Sequence, residues 1–248
     1  MQIKTHYLSL VNIMRIFKFD TLQSTNSYLK DHINEHINHD VVFTFNQTNG
    51  HGRLSRSWCS TKDSLTFSII FKDDFLYKNY ESLSLISAVS LFEVLSKKID
   101  NVSIKWPNDI IVNNKKICGI LLESRISTKM EGLILGIGLN VNNEHFDDSL
   151  NATSIYLENN LKTNIEDIML EIINNLLENV KLFKNGSLKH IEIINKNNYL
   201  LNKETYATIG SNKQLVKVLR ILNNNHLLVE CNNELIEVST GEISFHKD

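Results

Sequence analysis

The chain has 248 residues, 42% apolar and 22% charged, with 26 basic against 28 acidic groups and a formal charge of −2. At roughly 100–200 residues per domain, that describes one large globular domain, or one large and one small. No apolar run reaches the roughly 18 residues of a membrane span, and the near-neutral balance lacks the basic surplus of a broad nucleic-acid binder, so both roles are set aside.

In chain order, Met1 to Ile13 carries Lys4 but no small-residue cleavage site, which argues against a secretory signal and for a cytoplasmic protein. No structural role is evident for that stretch, and Met14 is an alternative start. Ile16, Phe17 and Phe19 alternate as a strand, Ser24-Thr25-Asn26 offers capping oxygens to a helix, and Val41 to Phe45 is a second strand. After a glycine-bearing loop at 50–60, Leu65 to Phe71 reads as a buried strand and Leu83 to Lys98 as a helix. Ile104 to Trp106 and Ile110 to Val112 bracket a turn at Pro107-Asn108-Asp109, and Ile117 to Glu123 and Leu133 to Val141 are further strands. Between Asn164 and Lys184, apolar residues such as Ile168, Ile172, Leu176 and Val180 recur at three and four, predicting a helix with one buried face. Beyond about Tyr199 short strands alternate with asparagine- and glycine-bearing turns, which predicts a small closed β-barrel appended to an α+β domain.

Cys59, Cys118 and Cys231 are odd in number and far apart, so they read as reduced thiols. Asparagine is abundant, 32 of 248, so no single asparagine carries weight by itself.

Three constellations stand out as candidates for chemistry. Gly50-His51-Gly52-Arg53-Leu54-Ser55-Arg56-Ser57-Trp58, preceded by Gln47, combines a flexible backbone with guanidinium donors suited to phosphate; a mobile surface loop is the plainer reading. Lys105-Trp106-Pro107-Asn108-Asp109 places the only proline and one of two tryptophans in one turn, followed by Lys116 at the mouth of a strand containing Gly119. Gly136 and Gly138 alternate on one face of a strand that ends at Asn140, leaving room for something flat against the backbone, ligand or another chain segment. A fourth pattern, His32-Ile33-Asn34-Glu35-His36, fits an H-x-x-E-H zinc motif, but it lacks a further acidic partner and reads as a solvated helix end.

Taken together and in this order, Ser24-Thr25-Asn26, Gly50 to Ser60, Lys105 to Asp109, Lys116 to Leu121 and Gly136 to Asn142 resemble the motif series of the biotin protein ligases. Ala152 to Ile155 and the closing Gly241-Glu242-Ile243-Ser244 also fit, so the resemblance spans about Met14 to Phe245. It implies an α+β, class II synthetase-like catalytic domain over 1–200 and an SH3-like β-barrel over 201–248. The implied reaction activates biotin with ATP and magnesium to biotinyl-5'-AMP and pyrophosphate, then transfers biotin to a lysine of a biotin carboxyl carrier protein. No prosthetic group is implied, and the metal ligands are unassigned.

By the same resemblance Arg53, Lys116 and Asp109 are the catalytic residues, with Arg53 and Lys116 at the biotin carboxylate and α-phosphate. Ser24, Thr25 and Gln47 would bind the ureido ring, while Gly50, Gly119, Gly136 and Gly138 let main chain flank biotin. Arg56, Trp58, Asn108, Asp109 and Asn140 would serve ATP, beside Arg53 and Lys116. The chemistry fits such a set: a carboxylate and an α-phosphate repel, and fixed cations offset that repulsion. His51 departs from the family's usual arginine and forgoes its permanent charge.

Only 23 residues precede Ser24, too few for the winged helix-turn-helix of the repressor members, so a ligase without DNA binding is expected; a homodimer is left open. The alternatives are a lipoate or octanoate ligase or transferase of the same fold, and a non-catalytic module that senses biotin or nucleotide.

Overall fold

A computed structural model describes residues 3–8, 13–239 and 243–245. Strands β1 (Ile3–Leu8) and β2 (Ile13–Leu22) lead into helix α1 (Thr25–Asp31), then β3 (Val41–Gln47), β4 (Ser64–Phe71), α2 (Asp74–Lys78) and α3 (Tyr80–Leu95). Strands β5 (Val102–Lys105), β6 (Asp109–Val112), β7 (Lys115–Ile126) and β8 (Met130–Asn140) follow, then α4 (Ile155–Asn159), α5 (Ile165–Lys184) and α6 (Lys189–Lys196). Strands β9 (Glu204–Ile209), β10 (Asn212–Ile221), β11 (Leu227–Cys231), β12 (Glu234–Val238) and β13 (Ile243–Phe245) complete the chain.

The first eight strands form one sheet in the order β1-β2-β3-β4-β8-β7-β6-β5, parallel between β2 and β3 and antiparallel elsewhere. Period-2 alternation divides its side chains between two faces. Val41, Phe43, Leu65, Phe67, Leu135 and Ile137 join the main core with α3 and α5, whereas Val42, Ile70 and Ile134 pack with Leu29 and Ile33 beneath α1. Gly136 and Gly138 have the parity of Ile134, so the face that α1 only partly covers is the one that carries them.

Helix α5 spans nearly the predicted range. Asn164 accepts from the amides of Glu166 and Asp167, the first turn is acidic and the last holds Lys181 and Lys184, which complements the helix dipole. Ser24 caps α1 as expected, accepting from Ser27 N. The last five strands form an antiparallel sheet in the order β12-β11-β10-β9-β13, in keeping with the expected small C-terminal β unit. The hairpin between β10 and β11 is tied to α3, since Asn225 Nδ2 donates to Ser82 Oγ at 3.0 Å and His226 Nε2 lies 3.7 Å from Glu81.

Several expectations change. Ile3–Leu8 has a structural role after all, pairing along β2 with Ile3 opposite Lys18. The His32–His36 segment is no solvated helix end: Ile33 and His36 are buried, and His36 Nδ1 meets Asp40 Oδ2 at 3.1 Å, with Arg15 on the same carboxylate. Its period misled because the helix stops at Asp31 and a 3-10 turn redirects the ring inward. The asparagines also have a use, for eight of them (Asn101, Asn113, Asn114, Asn160, Asn202, Asn225, Asn232 and Asn233) adopt positive φ in turns, where asparagine substitutes for glycine. Gly241 and Glu242 of the closing motif lie outside the described residues.

Candidate active site

A cavity of about 160 Å3 opens on the glycine face of the large sheet, between α1, the 50–58 loop and the 105–109 turn. At one end Ser24, Thr25 and Gln47 gather. All three come from the ends of elements, where backbone donors are not used up by the ladder or helix. Thr25 donates to Gln47 Oε1 from its amide at 2.8 Å and its hydroxyl at 3.2 Å, and Ser68 Oγ lies 2.7 Å from Thr25 Oγ1.

At the other end stand Arg53, Asn108, Asp109 and Lys116. A register shift in the β6–β7 pairing between Ile110 and Ile111 accompanies the approach of Lys116 to Asp109, where Nζ and Oδ1 lie 2.6 Å apart. Asn108 is clipped to β7 twice, its Nδ2 donating to Ile120 O at 2.9 Å and its carbonyl accepting from Ile120 N at 2.8 Å. Arg53 Nη1 reaches Asn108 Oδ1 at 3.4 Å. Burial lowers the Arg53 pKa, Asp109 opposes that shift and Arg56 adds to it; a guanidinium nevertheless stays charged. Asp109 is the one carboxylate among the described lining residues, against Arg53, Arg56, Lys105 and Lys116, so this end attracts anions.

The 50–58 loop folds back on itself as a narrow arch. Gly52 N donates to Arg56 O at 2.7 Å, Trp58 N donates to Gly50 O at 2.9 Å, and exposed Leu54 at the tip has φ 54°. Trp58 returns to the cavity floor. Its indole covers Gly138 and Gly119, which face each other across β8 and β7, and Lys116 Nζ sits 5.8 Å from the ring centroid.

Most of the expected residues converge on this cavity: Ser24, Thr25, Gln47, Arg53, Arg56, Trp58, Asn108, Asp109, Lys116, Gly119, Gly136 and Gly138 all line it. Gly50 and Asn140 do not. A Cβ on Gly50 would lie 2.5 Å from Trp58 O, so that glycine lets the arch close, while buried Asn140 donates its Nδ2 to Thr153 O at 3.0 Å. The space beside Gly136 is filled by Asn26, whose Oδ1 would lie 2.4 Å from an added Cβ.

Two residues without an expected role emerge. Asn26 also lines the cavity, its Oδ1 accepting from Ser68 Oγ and its Nδ2 donating to Glu123 Oε2 at 2.9 Å. Glu123 further accepts from Lys30 Nζ at 2.8 Å and lies 3.6 Å from His51 Nε2. Its sequence signal is parity, since Gly119, Leu121 and Glu123 share one face of β7.

Residues 18–140 match the biotin/lipoate A/B protein ligase family. The chain is 30% identical over 232 residues to the bifunctional ligase/repressor BirA of Escherichia coli K12, covering 90% of this chain and 71% of that protein. It is 36% identical over 122 residues to BirA of Bacillus subtilis 168, a match that covers 46% of this chain and 38% of the Bacillus protein. The fold superposes on the biotin protein ligase of Aquifex aeolicus solved with biotin and ATP, with a TM-score of 0.83 at 26% identity over 94% of this chain and 99% of that one.

Proposed function

We propose, from the premise that the chain belongs to the biotin/lipoate A/B protein ligase family, that it joins biotin to a lysine of a carboxyl carrier protein in two steps using ATP. The observation that carries this reading is the division of one cavity into a neutral hydrogen-bonding end and a cationic end. The first suits a ureido ring and the second a carboxylate facing a triphosphate. The Aquifex ligase, solved with biotin and ATP, supports the same pair of substrates.

In the first step a biotin carboxylate oxygen attacks the α-phosphorus, the P–O bond to pyrophosphate breaks, and biotinyl-5'-AMP forms. Both reactants are anionic, so alignment and fixed positive charge lower the barrier. Lys116, held by Asp109, and Arg53, resting on Asn108, are assigned that charge. Ser24, Thr25 and Gln47 are assigned to the ureido end, and Arg56, Trp58 and Asn108 to the nucleotide. Asn140 is assigned an indirect part, bracing β8 through Thr153.

Among the described residues no group of three or more His, Cys, Asp or Glu side chains could hold a metal alone. Magnesium commonly binds through phosphate oxygens and one or two carboxylates. The residues therefore fit an ion carried in with ATP, with Asp109 the cavity carboxylate available to it; magnesium would screen the triphosphate charge.

In the second step the acceptor lysine attacks the acyl carbon as the neutral amine. The C–N bond forms as the C–O bond to AMP breaks, and the departing phosphate takes the proton that nitrogen loses. The arch over the cavity would keep water from the mixed anhydride meanwhile. We assign this chemistry to residues 1–200 and an accessory role to the small barrel of 201–248.

The test is exchange of labelled pyrophosphate into ATP with biotin, lipoate or octanoate supplied. Exchange with biotin alone is expected. Exchange with lipoate or octanoate would favour the related ligases, and none with any acid would leave a binding module.

A further inference from the structure

A second recess of about 200 Å3 lies beside the reaction cavity and shares with it Arg53, Pro107, Asn108 and Ile120. It sits where β6 ends: the β6–β7 ladder runs only from Val112–Lys115 to Asp109–Gly119, so β7 continues past its neighbour. The N-terminal end of α3 closes the outer side with Tyr80, Glu81 and Ser84. Ile120, Leu122, Leu133 and Pro107 give it aliphatic walls, and Glu81 gives it a carboxylate. Nothing in the adenylation chemistry uses this space.

We propose that this recess receives the acceptor lysine side chain and delivers its amine to the acyl carbon; the inference rests on the two-step ligase reading. A lysine pairs a four-carbon apolar stem with a compact cation, and the recess pairs aliphatic walls with a carboxylate. Glu81 lies near His226 and accepts from Tyr80 Oη at 3.5 Å, while the Glu123 carboxylate turns to the other face of β7, toward Asn26 and Lys30. Among the described residues Glu81 is met by a partly exposed histidine and a phenol, which leaves this carboxylate with capacity for an incoming ammonium. Further in, the shared wall carries Arg53, with Lys116 beyond it in the reaction cavity. Neighbouring positive charge disfavours a second cation, so an amine that moves from the carboxylate end to the cationic end is driven toward its neutral, nucleophilic form.

The experiment separates the two half-reactions in the full chain. One arm is biotin-dependent pyrophosphate exchange; the other is formation of N-butylbiotinamide from biotin, ATP and n-butylamine, a lysine side chain without its backbone. Two variants narrow the recess without touching the reaction cavity: Glu81→Lys reverses its charge, and Ser124→Trp fills it from an exposed strand position. Exchange should stay within about twofold of the unchanged protein, which also reports folding, while the half-saturating butylamine concentration rises about tenfold or more in both. Unaltered butylamine saturation in both variants overturns the recess as the amine's route. Absence of exchange in the unchanged protein overturns the ligase reading itself, and the lysine with it.

Discussion

The Cβ that Gly138 lacks would stand 2.3 Å from Cε2 of Trp58 and 2.6 Å from its Nε1, so the indole lies directly on the β8 backbone. A glycine is required there because an aromatic ring from a distant loop uses the space, and the ring in turn supports Lys116.

Gly138→Ala should expel the indole from the cavity floor. Overpacking of this kind costs about 1–3 kcal/mol, and pyrophosphate exchange should fall with it. Thermal unfolding together with tryptophan emission checks this; unchanged emission and exchange would contradict the packing.

Lys116→Ala should slow adenylation by about a hundredfold, since it removes charge aimed at a developing anion. Asp109→Asn, which weakens the 2.6 Å contact without removing Lys116, should lower exchange less. A larger loss in Asp109→Asn would point to a direct role for that carboxylate.

Arg53→Gly removes the arch side chain that rests on Asn108. Biotinyl-5'-AMP should then escape and accumulate in solution, measurable by chromatography of the filtrate. Normal carrier transfer with no free adenylate would dismiss a retaining role for Arg53.

The His51–Glu123 contact of 3.6 Å joins the arch to β7. Burial pushes the Glu123 carboxyl up, but hydrogen bonds from Lys30 and Asn26, with the charges of Lys30 and His51, hold it below the usual range, so it is anionic at neutral pH. A permanently charged guanidinium at position 51 would hold that carboxylate more firmly than an imidazole, so His51→Arg should raise biotin affinity in calorimetric titrations. Equal affinity in His51→Arg and the unchanged protein would refute the link.

Asp40 offers a test of stability. Burial pushes its carboxyl up, yet bonds from His36, Arg15 and the Ile37 amide hold it below the ordinary value. A depressed folded value means that the stabilisation is complete above the unfolded carboxylate range and is lost as pH falls through the folded one. Asp40→Asn should therefore cost about 3 kcal/mol at neutral pH, because Arg15 and His36 lose their anion, with the deficit shrinking below about pH 4. Urea unfolding across that range would reveal a pH-independent deficit if the carboxylate charge were irrelevant.

The strands from Val41 to Asn140, helix α5 and the C-terminal strands were legible because period 2 and period 3.6 are local properties. The short helices α2, α4 and α6 were not, since five to eight residues give too few turns for a period to emerge. The motif residues were legible as a set, because glycine, arginine and lysine recur there at short spacings, and most of them line the same cavity.

What the sequence determined by itself is the α+β class, the order of the longer elements and most of the residues that line the cavity. Tertiary structure decided what each small residue makes room for: Trp58 for Gly138, Asn26 for Gly136 and loop closure for Gly50. It also turned Asn140 toward Thr153, buried His36 against Asp40, brought Glu123 to Asn26 and left the recess beside β6. These depend on which residues a strand register and a folded loop bring face to face. A one-residue change of register would turn each side chain to the opposite face, so no local pattern specifies such contacts.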